Sequence, residues 1–493
     1  MRFQPGTSVA SHTRPGQSSG INTRLGLSVA DSLTWILHTA IVAVLIWNHE
    51  PWRDELQAWS IAMASHNPLD LLPNTRLEGR PPGWQLLLWP FAQVITNPRM
   101  MQLVALLVGS LAAWWWLRRS ALVWRMKAVV LFGFLFTGGY LVHSRDYVLS
   151  FLVLVAATAV HERRGPGVRL ALVLCALAWV NAFSLAMAAA LVVAVWLPEL
   201  PAWRQWTVSR RIEWCGSLVL CGGWFAWSAY LTYPTADNQF GVGRYKGFGR
   251  ALTKSFIPLD YDWAWLQRFD NVLAGALCVG ALVWAWQWSR TAFIFVSLAM
   301  AMLLYNLTYG YGDYWWHFGN AYLVVFVATC FVRGRSSVGW LRRIGVGALV
   351  VMAVLNLAAT RYGAGRDVYS SRPYSMTLAA AEQLRDICDD CTIIVDWDAI
   401  GAGISAHLDG REIYYLNRGE FGTFAKFSNT NTAPTWEDGL AAIARFERPL
   451  LIQTAFMSGP APSELELIGV HLDGVNDHNL IWQSATKRIL PDD

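Results

Sequence analysis

Long apolar segments separated by short polar connections are the feature that most limits how this chain can fold. A helix needs about 20 apolar residues to cross the hydrocarbon core of a bilayer, and in lipid it satisfies its own backbone hydrogen bonds. Segments of this kind lie at residues 30–48, 99–117, 128–144, 146–161, 169–182, 184–198, 214–232, 271–288, 291–309, 317–333 and 341–359. They predict an all-α polytopic membrane bundle over residues 29–359, with about eleven transmembrane helices.

The amino-acid composition favours the same class of protein. Of the 493 residues, 54% are hydrophobic and only 15% are charged, which is typical of a multi-pass membrane protein. Many of the 28 tryptophans stand at segment ends, where the indole ring prefers the membrane interface. Residues 1–28 are rich in Gly, Ser, Thr and Arg and have no periodicity, so we expect a disordered N-terminus.

The distribution of basic residues predicts the orientation in the membrane. Alternate connections carry most of them, and the positive-inside rule places these connections and the N-terminus in the cytoplasm. They hold Arg2, Arg14, Arg24, Arg118, Arg119, Arg125, Lys127, Arg163, Arg164, Arg204, Arg210, Arg211, Arg290, Arg333, Arg335, Arg342 and Arg343. The outside loops are then 48–98, 143–147, 234–270 and 310–319. Since the basic residues mark one side of the membrane, the net charge of +5 does not indicate a nucleic-acid partner.

The tail, residues 360–493, changes to the pattern of a small α/β domain. SMTLAAAEQLRDI and TWEDGLAAIARF predict helices, whereas TIIVDWD, EIYYL and PLLIQTA predict strands, followed by two late strand candidates. An odd number of spans puts this domain outside, on the side opposite the cytoplasm. Its CDDC motif, with Cys388 and Cys391, predicts a short disulfide or two unreacted thiols, because no second CxxC completes a metal site.

Ionisable residues collect in three of the outside loops. Each group has a simple structural interpretation: a helix start in PWRDELQAW, a turn closed by an ion pair in HSRDY, and interfacial packing of a histidine in GYGDYWWHFG. The residues are Arg53, Asp54, Glu55, Arg80, His143, Arg145, Asp146, Tyr147, Asp313 and His317. Together they place carboxylates and cations on one membrane face, while the predicted span interiors carry almost no charge.

This asymmetry separates the possible functions. A coupled transporter usually needs ionisable groups or broken helices near the midplane, whereas chemistry on a lipid-linked headgroup needs them at the rim. A sugar carried on a polyprenyl phosphate has a leaving group that is already a stable anion. One carboxylate then suffices as the base for an acceptor hydroxyl, and a cation stabilises the departing phosphate. A glycosidase would need two carboxylates.

Three short motifs resemble the GT-C superfamily of membrane glycosyltransferases. They are the Asp-Glu pair in WRDELQAW, the Pro-Pro step in RPPGWQLLLWP and the Arg-x-Tyr turn in HSRDY. The pattern is most similar to protein O-mannosyltransferases, lipid A aminoarabinose transferases and bacterial lipopolysaccharide-core transferases, over roughly residues 30–330. The resemblance implies an inverting hexosyl- or pentosyltransferase of the bacterial inner membrane. It would take a polyprenyl-phosphate sugar donor and a lipid, glycan or protein acceptor.

The resemblance also implies roles for single residues. Asp54 would be the catalytic base, and Glu55 would orient the acceptor or a Mg²⁺ or Mn²⁺ ion, although an arginine-rich site can dispense with metal. Arg80 stands where relatives often have His or Lys. The donor phosphate would meet Arg80, Arg145, Tyr147 and His317, with Arg53, His143, Asp146 and Asp313 in support.

Three other classes stay open at this point. A lipid-linked glycan flippase or other transporter would need a polar path, which only Asn181, Asn320 and Asn356 offer in the predicted spans. A glycan polymerase or ligase would rely more on arginines and a large outside loop. A non-catalytic scaffold predicts that replacing Asp54 has no effect.

Overall fold

The computed structural model describes residues 27–486 except 234, 236, 238–244, 246, 260–263, 311–314, 333–338, 363–372, 429, 455–456, 458–459 and 473–478. The expected disorder of residues 1–26 and the candidate Asp313 lie outside the described residues.

Sixteen helices form the part before the tail, in the described residues. They are α1 Val29–Asn48, α2 Arg53–Ala64, α3 Leu71–Asn74, α4 Gly83–Ala92, α5 Arg99–Arg119, α6 Trp124–Leu131, α7 Tyr147–Arg164, α8 Val168–Ala178, α9 Ala182–Trp196, α10 Val208–Thr232, α11 Phe248–Phe256, α12 Ala264–Trp288, α13 Arg290–Tyr309, α14 Trp315–Phe318, α15 Asn320–Ala328 and α16 Trp340–Tyr362. A π-helical stretch, Leu135–Val142, follows α6, and short 3₁₀ turns lie at Arg76–Glu78, Leu197–Gln205 and Thr329–Phe331.

Six of these helices are long and apolar enough to cross a membrane, by length and composition. They are Val29–Asn48, Arg99–Arg119, Ala182–Gln205, Phe269–Trp288, Arg290–Tyr309 and Trp340–Arg361. The pair Trp124–Leu131 and Leu135–Val142, bent by 41°, would be a seventh span. The predicted segments 146–161, 169–182, 214–232 and 317–333 are largely helical but do not meet the same test within the described residues. The prediction of eleven spans is therefore not confirmed.

The outer surface of the apolar helices is consistent with contact with lipid. On α1, Leu33, Leu37 and Val44 are all more than half exposed, and α16 exposes Val354 in the same way. A soluble protein would seldom expose apolar side chains in such continuous stripes. The described chain is thus a helical protein of the multi-pass membrane type.

The first predicted outside loop is itself folded. Residues 48–98 contain α2, α3 and α4, and α2 packs on α4. Trp59 and Trp84 are fully buried there. The loop is therefore a folded unit of packed helices.

The tail contains a six-stranded mixed sheet covered by three helices. The helices are α17 Thr377–Ile387, α18 Asp398–His407 and α19 Trp436–Arg445, and the strands are β1 Thr392–Val395, β2 Ile413–Tyr415, β3 Glu420–Gly422, β4 Pro449–Gln453, β5 Leu465–His471 and β6 Asn479–Ser484. The strand order is β3-β2-β1-β4-β6-β5. Strand β1 pairs in parallel with β2 and β4, and the other three pairs are antiparallel. Cys388 and Cys391 form a disulfide, with Cα atoms 5.6 Å apart.

The tail packs on the first predicted outside loop through contacts between α18 and α2. Gln57 of α2 accepts a hydrogen bond from the Ala425 backbone N–H and donates one to the Ala425 carbonyl, both at 2.8 Å. Ser60 donates to the carbonyl of Ala402 in α18. At the other end of the contact, Glu50 accepts from the backbone N–H of Leu378 at 3.0 Å. The tail therefore fixes the position of the loop that carries Asp54 and Glu55.

Candidate functional site

Helix α2 directs its two acidic residues to different sides. The Glu55 carboxylate reaches back to accept the Trp52 backbone N–H at 3.1 Å, which closes the first turn. Adjacent residues on an α-helix point about 100° apart. Asp54 consequently lies at the surface of the site with its side chain 32% exposed, whereas the Glu55 side chain is 0% exposed.

Asp54 forms the central ion pair of the site. Its Oδ2 lies 3.0 Å from Nη1 of Arg145, and its Oδ1 lies 3.7 Å from Nε of Arg53. The Arg145 side chain is 11% exposed, so it is held largely inside the protein while Asp54 faces outward. The two residues come from loops 91 positions apart in the chain.

Arg80 is the second cation of the site. Its Nη2 lies 2.8 Å from Glu78 Oε2, and its Nη1 lies 3.9 Å from Asp146 Oδ2. Gln57 in turn donates to the other oxygen of Glu78 at 2.8 Å. Because Asp146 follows Arg145 directly, this contact brings the Pro-Pro motif of the first loop beside the HSRDY turn.

The HSRDY turn contains a strained residue. Ser144 is fully buried and has a φ of 44°, a left-handed conformation that is uncommon outside glycine. The turn lets His143 and Arg145 point to different neighbours. The guanidinium of Arg145 lies 5.1 Å from the Trp316 ring centroid and 5.8 Å from that of Tyr147, within cation–π range.

Tyr147 and His317 lie at the inner edge of the site. Tyr147 is buried and stacks on Tyr140 with centroids 5.0 Å apart. The ring of His317 is 6.4 Å from that of Tyr147 and 5.1 Å from that of Phe183. The structure thus brings together every described residue of the candidate set, with His317 in contact through aromatic rings.

Behind Asp54, Glu55 joins two histidines in a buried cluster. His49 Nε2 is 2.8 Å from Glu55 Oε2, and His143 Nδ1 is 3.9 Å from the same oxygen. Burial alone would raise the pKa of Glu55, but the charge on His49 and the proximity of His143 outweigh it and lower the pKa to about 2. Glu55 is therefore ionised at neutral pH. One potential ligand atom from each of the three side chains lies within 4.8 Å of the others, so the cluster has the donor atoms to hold a metal ion.

Aromatic rings surround this cluster. Tyr374 of the tail places its ring 4.9 Å from His143, 5.3 Å from His49 and 5.6 Å from Trp52. Trp52 also lies 5.5 Å from Trp316. Since Glu55 has no exposed surface, contact with an acceptor is not open to it, and of its two suggested roles only metal binding suits this placement.

Several residues of the site were not among the predicted candidates. His49 stands only six positions before Glu55, so this short spacing was a usable signal. Glu78 also precedes the Pro-Pro motif closely. No sequence pattern indicated Tyr374 as a site residue, because its proximity to His49 depends on how the tail packs on the first loop.

No protein-family model matches this chain, and no curated protein matches it. The fold and the site define a helical protein of the multi-pass membrane type, with a buried acidic and basic cluster beneath a small α/β domain. The GT-C resemblance stays a prediction.

Proposed function

We propose that the protein is an inverting glycosyltransferase of the GT-C type. It moves a hexose or pentose from a polyprenyl-phosphate donor to a lipid, glycan or protein acceptor at the outer face of the bacterial inner membrane. The single observation that supports this most is the Asp54–Arg145 ion pair at 3.0 Å. It joins a partly exposed carboxylate to a largely buried guanidinium in a protein rich in apolar helices.

Asp54 suits the role of the base. Its carboxylate is the one acid among Asp54, Glu55 and Asp146 with substantial exposure, so an acceptor hydroxyl can reach it. In the proposed reaction the carboxylate takes the hydroxyl proton while the acceptor oxygen attacks the anomeric carbon and the bond to the phosphate oxygen breaks. The phosphate leaves as an anion and needs no general acid.

Arg145 and Arg80 suit the donor phosphate. The Nε atom of each is buried and makes no hydrogen bond among the described residues, so each guanidinium keeps an unused donor. A guanidinium binds phosphate oxygens through a planar pair of N–H groups. Both arginines are already paired with carboxylates, so donor binding would exchange part of these ion pairs for phosphate.

The tail supports a role in closing the site and selecting the acceptor. It contacts α2 through Gln57 and Ser60, and Tyr374 reaches the buried cluster. These contacts hold the helix that carries Asp54. We infer that a change at this contact alters the range of acceptors.

The asparagines that a transporter path would need form hydrogen bonds to backbone groups instead. Asn181 accepts the Ser184 backbone N–H at the start of α9, and Asn356 accepts that of Leu135 at the bend after α6. Asn320 donates to the carbonyl of His317. These bonds satisfy helix ends within the bundle, and they favour the enzyme over the flippase.

The proposal is tested by comparing wild type with Asp54→Asn in donor turnover. Purified proteins are given polyprenyl-phosphate sugars and a crude acceptor extract, and free polyprenyl phosphate is measured. We expect a loss of at least a hundredfold in Asp54→Asn, in line with the contribution of a positioned base. Asp70→Asn, which removes an exposed carboxylate from the same loop, is the matched control and should keep wild-type turnover. Equal turnover in Asp54→Asn would refute Asp54 as the base.

A further inference from the structure

The cluster of His49, Glu55 and His143 has the composition of a transition-metal site. It joins two imidazoles and one carboxylate from three separate places: the end of α1, the first turn of α2 and the turn after the π-helical stretch. Mg²⁺ and Mn²⁺ prefer oxygen ligands and water, whereas two histidines and a carboxylate are a common ligand set of zinc.

The distances between the potential ligand atoms are close to those around a bound zinc ion. Ligand atoms around tetrahedral zinc lie about 3.4 Å apart when the bonds are about 2.0–2.1 Å long. The distances from Glu55 Oε2 are 2.8 Å to His49 and 3.9 Å to His143. One distance must lengthen and the other shorten by about half an ångström, which rotamer adjustments can supply.

Glu55 carries a further sign of a ligand. Its Oε1 is buried and makes no hydrogen bond among the described residues. A buried carboxylate oxygen without a partner is costly and calls for an explanation such as an ion. Oε2, the oxygen that both histidines approach, also accepts the Trp52 N–H, so Glu55 can offer both Oε2 and the unpaired Oε1 to one ion.

We propose that His49, Glu55 and His143 bind a Zn²⁺ ion that fastens the start of α2 to the bundle. The ion does not contact the substrate. Its effect on the neighbouring Asp54 is to hold the helix turn from which that side chain projects, which makes the three ligands positioning residues. The two oxygens of Glu55 and one nitrogen from each histidine give four donor atoms, and the rings of Trp52 and Tyr374 lie around them.

The test measures metal content and needs no transferase activity, so its failure is distinguishable from failure of the proposed function. Full-length protein is purified in detergent through a tag without histidine, and its metals are quantified by mass spectrometry. We expect about one zinc per chain in wild type, and a loss of zinc affinity of roughly tenfold or more in Glu55→Gln and His143→Asn. His66→Asn, which removes an exposed histidine of the same loop, should keep the zinc.

Coordination is tested directly with Co²⁺ in place of zinc. His143→Cys should retain the ion and add a thiolate-to-cobalt absorption band that wild type lacks. Wild type that neither retains zinc nor takes it up from micromolar solution would overturn the proposal, without reference to any variant. Stoichiometric Mg²⁺ or Mn²⁺ in its place, or equal zinc in wild type and Glu55→Gln, would overturn it as well.

Discussion

At the scale of single residues, the site depends on neighbouring acids having different surroundings. Asp54 and Glu55 are adjacent, yet one pairs with Arg145 at the surface and the other with His49 in the interior. This division follows from helical geometry, since consecutive residues cannot face the same way. Under the proposed function, the exposed carboxylate acts as the base and the buried one holds the loop.

Donor turnover should fall when Arg145 is replaced by lysine, although the positive charge is kept. Lysine cannot offer the planar fork of N–H donors, so Arg145→Lys should lower kcat/KM for the donor by about tenfold to a hundredfold, equivalent to about 1–3 kcal/mol. Turnover of polyprenyl-phosphate sugar is the measurement. Arg76→Lys is the control, because Arg76 bonds backbone carbonyls near Tyr233 and lies outside the site. Full donor turnover in Arg145→Lys would contradict a phosphate role.

The stability of the folded protein should fall at acidic pH because of Glu55. Its pKa is about 2 in the folded protein against 4.5 ordinarily. The stabilisation, on the order of 3 kcal/mol, is therefore complete above about pH 4.5 and is lost as the pH falls towards 2. The melting temperature of wild type in chelator should exceed that of Glu55→Gln at neutral pH, and this gap should shrink below pH 4.5.

Glu437→Gln, at an exposed position, should show no such gap. A gap that stays constant with pH would show that the Glu55 charge is not what stabilises the fold.

At the scale of helices, small residues set how closely the apolar elements pack. Gly345 of α16 faces α12 so closely that a Cβ would lie 2.6 Å from Trp284 Cβ and 2.7 Å from its Cα. Gly347, in the same helix, has nothing within 4 Å of the corresponding position. Such close approach of backbones is a common way for helices to associate in a membrane, where the hydrophobic effect between them is absent.

These two glycines make a matched pair for stability. Gly345→Ala should force α12 and α16 apart at a cost of about 1–3 kcal/mol, whereas Gly347→Ala should be neutral or slightly stabilising because alanine favours the helix. The measurement is the melting temperature of the purified protein in detergent. Equal melting temperatures for the two variants would mean that the contact is not a packing constraint.

Secondary structure was predictable where periodicity or apolar length is strong. The five named strand and helix patterns, at β1, β2, β4, α17 and α19, are confirmed by the structure. Helix α18 was not predicted, because DAIGAGISAH contains two glycines that lower its helix propensity. The glycines serve packing: a Cβ on Gly401 would lie 2.4 Å from Tyr415, and one on Gly403 would lie 3.3 Å from Leu56.

At the scale of the whole molecule, the tail and the first loop form one contact surface around α2. Gln57→Ala would leave the buried Ala425 N–H without its 2.8 Å partner, at a cost of about 1–3 kcal/mol. We expect faster cleavage of the tail in limited proteolysis and a broader range of accepted acceptors. Gln93→Ala, which removes a bond to Ala62 within the loop, should change neither. Unchanged proteolysis and acceptor range in Gln57→Ala would argue against coupling of the tail to the site.

The arrangement of the site could be predicted only in part from the sequence. Motif positions and the membrane-side argument brought Asp54, Arg80 and Arg145 into one set, and the structure places them in a connected group. The burial of Glu55 could not be read from the motif, because it depends on His143 and Tyr374 arriving from distant parts of the chain. The prediction of eleven spans is not confirmed: six or seven helices qualify by length and composition among the described residues, and apolar runs such as 169–182 are helical but short.

The most direct test of the central claim is which lipid-linked donor wild-type protein consumes. Protein in lipid vesicles is given sugars on polyprenyl phosphate, on polyprenyl diphosphate and on nucleotides, with an acceptor extract, and the released carrier is identified by mass spectrometry. The proposed function predicts free polyprenyl phosphate in amounts equal to the sugar transferred. Release from the diphosphate or nucleotide donors alone, or movement of intact donor across the bilayer without release, would contradict it.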